Sequence, residues 1–271
     1  MRAVILVDNL THSDLTPEWG LSIYIEYNGH KILLDTGASG LFAENAAALG
    51  IDLTQVELGV LSHAHYDHAD GMGVFFEAND HAPFWLRASC GELCYDREEE
   101  GYHYEGIQKG LLARYDSRLR YAEGAVSPLP GVYLLPHTTP GLEKLGEKAG
   151  MYLLQPDGSF LPDDFRHEQS LVFETERGLV IFNSCSHAGA DNIVKEVAAA
   201  FPGRPIYAIA GGFHLFATPA DEVRAFAERL RDTGVQKVIT GHCTGEEAYE
   251  ILAEVLGDRA RQIYTGLTLD L

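Results

Sequence analysis

The chain reads as an α/β protein, a layered αβ/βα sandwich, on three observations. Its opening is β-rich and contains a hairpin, strand–helix alternation takes over late, and no Pro- or Gly-rich linker divides the 271 residues. One domain over residues 1–271 is therefore expected.

Arg2–Val7 is apolar and reads as the first strand, since it lacks the h-region and small-residue cleavage site of a signal peptide. Leu21–Tyr27 and His30–Leu34 flank Asn28-Gly29, the strongest short hairpin signal. The hairpin runs into Asp35-Thr36-Gly37. Such a triplet also occurs at aspartic-protease active sites, but that chemistry needs a second triplet and a different fold, and neither is found. Leu41–Leu49 is a short Ala-rich helix closed by Gly50, and Val56–Leu61 is the next strand.

Residues 72–135 are the least regular stretch. Gly73–Ala78 begins a helix, Phe84–Leu86 is a strand, and Arg97–Glu100 is a solvated charge run. Tyr95, Tyr102, His103, Tyr104, Tyr115 and Tyr121 make the stretch aromatic and polar at once. It reads either as a surface excursion or as an insertion that lids a site and selects a ring-bearing substrate. Beyond it, Gly131–Leu135, Ser170–Glu174, Leu179–Asn183, Ile206–Ala210 and Val235–Thr240 read as strands, with Arg261–Leu269 a final edge strand. Asp191–Phe201, Pro219–Arg231 and Gly245–Leu256 read as helices, the second amphipathic through Val223, Phe226, Ala227 and Leu230.

Composition narrows the function by exclusion. A hydrophobic fraction of 46% can build a core without staples. Four cysteines in a chain of this size do not make a disulfide framework, so cytoplasmic residence is expected. Cys90 and Cys94, spaced C-x3-C on a helix or loop without a second pair, read as structural. The formal charge of −20 repels phosphate backbones and argues against a nucleic-acid partner. No apolar segment approaches the ~18 residues that span a membrane. A small-molecule substrate is the remaining expectation, and the oligomeric state is left open.

The stretch that carries chemistry is Ser62-His63-Ala64-His65-Tyr66-Asp67-His68-Ala69-Asp70-Gly71, directly after the apolar strand. Residues two apart in an extended chain point to one side, so His63 and His65 can converge on one ion. Asp67 and His68, one turn further on, can face the same ion or a second one. Imidazoles plus a carboxylate are a ligand set for zinc, with iron, manganese or nickel as alternatives. Three later segments repeat one pattern of apolar strand, Gly or Ser, then His. They end in Asn183-Ser184-Cys185-Ser186-His187, Gly211-Gly212-Phe213-His214 and Gly241-His242-Cys243. Three such histidines, added to the first loop, favour a common metal site.

The H-x-H-x-D-H loop resembles the metal-binding signature of the metallo-β-lactamase-fold superfamily. With the Asn-Ser-Cys-Ser-His-Ala-Gly, Gly-Gly-Phe-His-Leu and Gly-His-Cys-Thr-Gly segments, the chain resembles its dihydropterin ribofuranosyl-aminobenzene phosphate synthase-like branch over nearly its whole length. The resemblance implies a four-layer αββα sandwich with metal in a groove between sheet edges, and a metal-dependent hydrolase. Carried over, His63, His65 and His187 match first-site ligands, while Asp67, His68 and His242 match second-site ligands. Asp35 matches a structural residue beside the metal loop, and His214 is an extra ligand or a substrate contact.

One departure stands out: where many members place a bridging Asp, this chain has Ser184-Cys185-Ser186-His187. Cys185 can supply a thiolate instead, or His137 can be a mid-chain ligand, so one or two ions remain open. The expected chemistry is metal-assisted hydrolysis of a phosphoester, lactone or related ester, with a weak preference for a pterin-like ring. Asp67 would orient the nucleophile or take its proton, and His214 would donate to developing negative charge. Two other classes stay open: an iron-containing oxidoreductase, which would want a flavin partner domain, and a metal- or ligand-binding protein without catalysis.

Overall fold

Alternate residues of the first strand face different layers. Ala3 and Ile5 pack against the second half of the chain, whereas Val4 and Leu6 pack under helices. A strand apolar on both faces belongs inside a sandwich, and the remaining elements arrange themselves around it. The structure, a computed structural model, describes residues 1–271.

The first half supplies β1 (Arg2–Val7), β2 (Ser22–Tyr27), β3 (His30–Leu34), α1 (Leu41–Ala48), β4 (Leu58–Val60), α2 (Tyr66–Ala69) and α3 (Met72–Ala78). There follow β5 (Phe84–Arg87), β6 (Cys94–Glu98), β7 (Gly101–Tyr104), α4 (Leu111–Arg114), β8 (Leu119–Ala122), β9 (Val126–Leu129) and β10 (Val132–Pro136). The second half adds α5 (Glu143–Ala149), β11 (Met151–Leu154), β12 (Phe160–Pro162), β13 (Gln169–Thr175), β14 (Gly178–Phe182) and α6 (Ala190–Ala200). It closes with β15 (Ile206–Gly211), α7 (Ala220–Asp232), β16 (Lys237–Thr240), α8 (Glu246–Leu256), β17 (Ala260–Gln262) and β18 (Thr268–Asp270).

One sheet runs β18-β1-β2-β3-β4-β5-β8, and a second runs β17-β16-β15-β14-β13-β10-β9. Ile23, Ile25, Ile32 and Leu34 of the first meet Leu171, Phe173, Val180 and Phe182 of the second in the central core. Outside the first sheet, Phe42, Met72 and Phe75 cover Leu33, Phe84 and Leu86. Outside the second, Ile193, Val197, Val223, Leu230 and Leu252 cover Leu179, Ile181 and Val238. This is the expected four-layer αββα order. No helix is long and apolar enough to cross a membrane.

Three local expectations need correction. Arg261–Leu269 is not one edge strand: β17 pairs parallel with β16 in one sheet, and β18 pairs antiparallel with β1 in the other. The chain crosses between sheets at Thr265, whose N–H is held by Leu10 O and whose hydroxyl is held by Asp8 O. Cys94 lies on a strand, not on a helix or loop, whereas Arg97–Glu100 is exposed as expected, at the end of the β6–β7 hairpin. Residues 72–135 do not form one excursion either. β5 and β8 join the first sheet and β9 and β10 the second, while only the β6–β7 hairpin leaves both. It pairs with β11 and β12 in a separate four-stranded sheet that the short, half-polar sequences of those strands did not announce.

Gly211, at the end of β15, sits at φ +142, and a Cβ there would lie 1.9 Å from the Asn183 carbonyl oxygen. Only a glycine lets β15 run this close to the chain leaving β14. Gly211→Ala is therefore expected to cost about 3 kcal/mol or more, read as a lower midpoint in urea unfolding with an unchanged slope.

Candidate metal centre

Past β4 the chain leaves the sheet at Ser62 and enters the single turn of α2. The intervening extended residues set the His63 and His65 rings side by side, 4.6 Å between centroids, and α2 turns Asp67 and His68 inward. Asp35, at φ +56 just past β3, organises this loop. Its Oδ1 accepts the Ser62 N–H (2.7 Å), and its Oδ2 accepts the Ser62 hydroxyl (2.6 Å) and the His68 Nδ1–H (2.9 Å). With its proton given to Asp35, the Ser62 oxygen accepts the His63 Nδ1–H at 2.8 Å. One buried carboxylate thus fixes two imidazoles as Nδ1–H tautomers and leaves both Nε2 lone pairs free. Thr36 holds the turn from outside, donating both its N–H and its hydroxyl to His68 O.

The other half of the site comes from the second sheet. β14, β15 and β16 run parallel, so the loops after them open at one edge. Their histidines are His187, His214 and His242. Ser186, His214 and His242 adopt left-handed φ angles of 50°, 49° and 49°, which tuck these loops back over the strand ends. The His187 N–H donates to Glu168 Oε2 at 3.0 Å, and the ring stacks on Phe165 at 4.9 Å. His242 donates its Nδ1–H to Asn9 Oδ1 at 3.1 Å, again freeing Nε2.

The ligand atoms fall into two sets. Ring nitrogens of His63, His65 and His187 lie within 4.8 Å of one another, and so do those of His68 and His242 with an Asp67 oxygen. The Nε2 atoms of His68 and His242 face each other at 3.1 Å, and Asp67 Oδ2 is 3.3 Å from His242 Nε2. His63 Nε2 and both ring nitrogens of His187 are buried without any partner. Buried lone pairs that converge without donors are costly, and a divalent cation is the partner that suits them. The residues therefore fit such an ion.

Their protonation suits it as well. Burial, then the neighbouring His68 and His65 rings, hold His63 well below the usual histidine range. Burial and His214 do the same to His187, and burial with His167 brings His65 down to about 3. Burial works to raise Asp67, but His68 and His242 outweigh it and keep the carboxyl below its ordinary range. Neutral imidazoles at His63, His65 and His187 beside an ionised Asp67 are the forms that ligate metal. His242 differs: burial lowers it, but the Cys243 and Asp67 side chains outweigh burial and raise it to about 9, so an ion bound there would displace a proton.

His214 joins neither set. Its ring centroid is 4.6 Å from that of His187, and its buried Nδ1 is unpartnered, so it stands beside the ligands as a cavity-wall group. His137 is no mid-chain ligand. Its Nε2 is 2.7 Å from Glu168 Oε1 and its Nδ1 2.9 Å from Glu196 Oε2, so both nitrogens are already used. Through Glu168 it instead braces the His187 loop.

Several residues at the site escaped the sequence reading. A 90 Å³ cavity over the ligands is walled by Trp19, Tyr66, Asp96, Met151 and Phe216. Trp19 and Phe216 are 44% and 54% exposed and meet edge to face at the rim. Asp96 reaches the cavity from β6 of the small sheet. Burial, with Glu105 beside it and His214 opposing, pushes its carboxyl up to about 6. Next to this cavity, past His187 and His214, lies a 360 Å³ cavity with Phe165, Phe213 and Phe226 in its walls. Only the aromatic richness of the chain hinted at these groups.

Comparison with known proteins places the geometry in a family. The profile of the metallo-beta-lactamase superfamily matches residues 15–182. The 7,8-dihydropterin-6-methyl-4-(beta-D-ribofuranosyl)-aminobenzene-5'-phosphate synthase of Methanocaldococcus jannaschii is 29% identical, covering 93% of this chain and 90% of its own. An N-acyl homoserine lactonase of Bacillus cereus is 32% identical, but over 44% of this chain and 46% of its own. The crystal structure of a metal-dependent hydrolase of the beta-lactamase superfamily superposes with a TM-score of 0.86 at 29% identity, covering 100% of this chain and 99% of that one.

Two outcomes follow from the supports of the ligand loops. Asp35→Ala should weaken metal binding by about 10–100-fold, measured by competition with a chromophoric chelator, because two ligand tautomers lose their common acceptor. Burial would lower His137, but Glu168 and Glu196 raise it to about 9. A folded-state pKa above the unfolded value of about 6.5 stabilises fully below pH 6.5, and that stability drains away as pH rises through about 9. Urea unfolding across this window should show the loss in the wild type. His137→Ala should abolish the dependence and cost about 3 kcal/mol at pH 7, since it strips a partner from buried Glu168.

Proposed function

Because this chain belongs to the metallo-beta-lactamase superfamily, we propose that it is a metal-dependent hydrolase acting on a small-molecule phosphoester, lactone or related ester, preferentially one bearing a pterin-like ring. The observation that carries the reading is the convergence of unpartnered nitrogens from His63 and His187 beside the Asp67, His68 and His242 set, under an aromatic-rimmed cavity. His63, His65 and His187 would hold one ion and Asp67, His68 and His242 another, with zinc the first choice. Such an ion supplies Lewis acidity, which makes water nucleophilic at neutral pH and polarises the carbonyl or phosphoryl oxygen under attack.

The chain's own groups do the rest. Asp67, kept ionised, accepts a hydrogen bond from the attacking water and orients it. His214, beside His187 and outside both ligand sets, donates to the negative charge that develops on the acceptor oxygen. Asp96 holds a proton up to about pH 6 and can pass it to the leaving oxygen. Trp19 and Phe216 offer π-faces at the rim, and Phe165, Phe213 and Phe226 in the adjoining cavity offer apolar surface to a bound ring. The preference for a ring-bearing substrate draws support from those aromatics and from the relative whose name contains a dihydropterin and an aminobenzene phosphate.

The test is metal analysis of the purified protein together with a hydrolysis screen of aryl phosphoesters, phosphodiesters and lactones. Near two equivalents of metal and turnover of at least one class are expected, with both falling in His187→Ala. In the wild type the rate should decline as pH rises through about 6, and Asp96→Asn should remove that decline while lowering kcat by about 100-fold. A filled site with no turnover of any ester would overturn the hydrolase reading in favour of a binding protein.

A further inference from the structure

The floor of the metal centre holds two cysteines that none of the chemistry above uses. Cys185 follows β14 in the stretch Asn183–His187, which offers no carboxylate. Its Sγ lies 3.1 Å from His68 Nε2. The same sulfur groups with ring nitrogens of His63 and His68 on one side, and with His242 and Cys243 on the other, each set within 4.8 Å. It therefore stands between the two ligand sets, since His63 belongs to one and His68 and His242 to the other. Cys243 Sγ sits 3.4 Å from Cys185 Sγ, in position to donate its S–H, and itself accepts the His214 N–H at 3.2 Å. Both thiols are buried and neither is in a disulfide. The backbone leaves room for them: a Cβ on Gly212 would come within 2.5 Å of Cys243 Sγ.

A buried thiol is a weak hydrogen-bonding group and gains little among imidazole lone pairs, whereas its thiolate is a strong ligand for a borderline divalent ion. We propose that Cys185 is a metal ligand shared by the two sets, its thiolate standing where a bridging carboxylate is absent, with Cys243 donating its S–H to that sulfur. This rests on the reading of the site as a metal centre. Sulfur at the shared position tilts the site towards zinc, cobalt or iron and away from magnesium, calcium and manganese.

The probe is cobalt(II) titrated into metal-free protein and followed by absorption. The wild type should show a near-ultraviolet thiolate-to-cobalt charge-transfer band beside the visible d–d bands. Cys185→Ser should lose that band, keep the d–d bands, and bind the more weakly held cobalt about 100-fold less tightly. Cys185→Asp should recover the wild-type cobalt stoichiometry without the band, which separates loss of a ligand from loss of the fold. Cys243→Ser should keep the band at a shifted wavelength. Cobalt bound with no charge-transfer band in the wild type, or a band that survives in Cys185→Ser, would overturn the proposal. No cobalt binding at all would take the metal-centre reading down with it. The full cobalt pattern with no ester hydrolysis would uphold Cys185 as a ligand and remove only the hydrolase reading.

Discussion

The carboxylate of Asp35 is buried at the end of β3, in a left-handed backbone conformation, and both its oxygens are spent on the ligand loop. An ionised group in that position is tolerable only because three donors surround it. Those donors are the Ser62 N–H, the Ser62 hydroxyl and the His68 Nδ1–H, so the cost of burying Asp35 is offset only if the loop adopts its metal-ready shape. The tautomers of His63 and His68 follow from the same network. The hairpin β2–β3, which delivers Asp35 to the core, is thus as much a part of the candidate metal centre as the histidines.

The second sheet answers with a matching device built from different residues. Glu168 is fully buried at the start of β13, and it bridges His137 on one oxygen and the His187 N–H on the other. Each half of the sandwich therefore uses one buried carboxylate to hold one ligand loop. The loops meet because the parallel strands β14 to β16 end at a common edge facing the end of β4. Core packing between Ile23, Ile25 and Leu34 on one side and Leu171, Val180 and Phe182 on the other sets the distance between the two devices. Small changes in that core would be felt at the ligands, since close-packed interiors transmit displacement rather than absorb it.

The small sheet of β6, β7, β11 and β12 closes the cavity from the remaining side. Its attachment to the ligand loop is direct: Tyr66 N–H donates to Glu105 O at 3.0 Å, next to the bridge between His65 and Gly106. Asp96 rides on this sheet and acquires its raised pKa there, beside Glu105. Stacking of Tyr102 on Phe160 at 3.8 Å ties the outer strands β7 and β12 across the sheet face.

What the sequence determined by itself was local. The Asn28-Gly29 hairpin, the two-sided apolar strands and the amphipathic α7 follow from turn chemistry and periodicity, which act over a few residues. The H-x-H spacing of His63 and His65 is legible for the same reason, because residues two apart in an extended chain share a face. What only the tertiary structure decided concerns partners far apart in the chain. His187 faces the ligands and His137 does not, because Glu168 and Glu196 occupy both nitrogens of His137 from 31 and 59 residues away. The grouping of Cys185 with His68 across 117 residues, and the arrival of Asp96 from a sheet made of short half-polar strands, are likewise products of packing. No periodicity encodes such meetings: they depend on the register of parallel strands and on the depth of the core between two sheets.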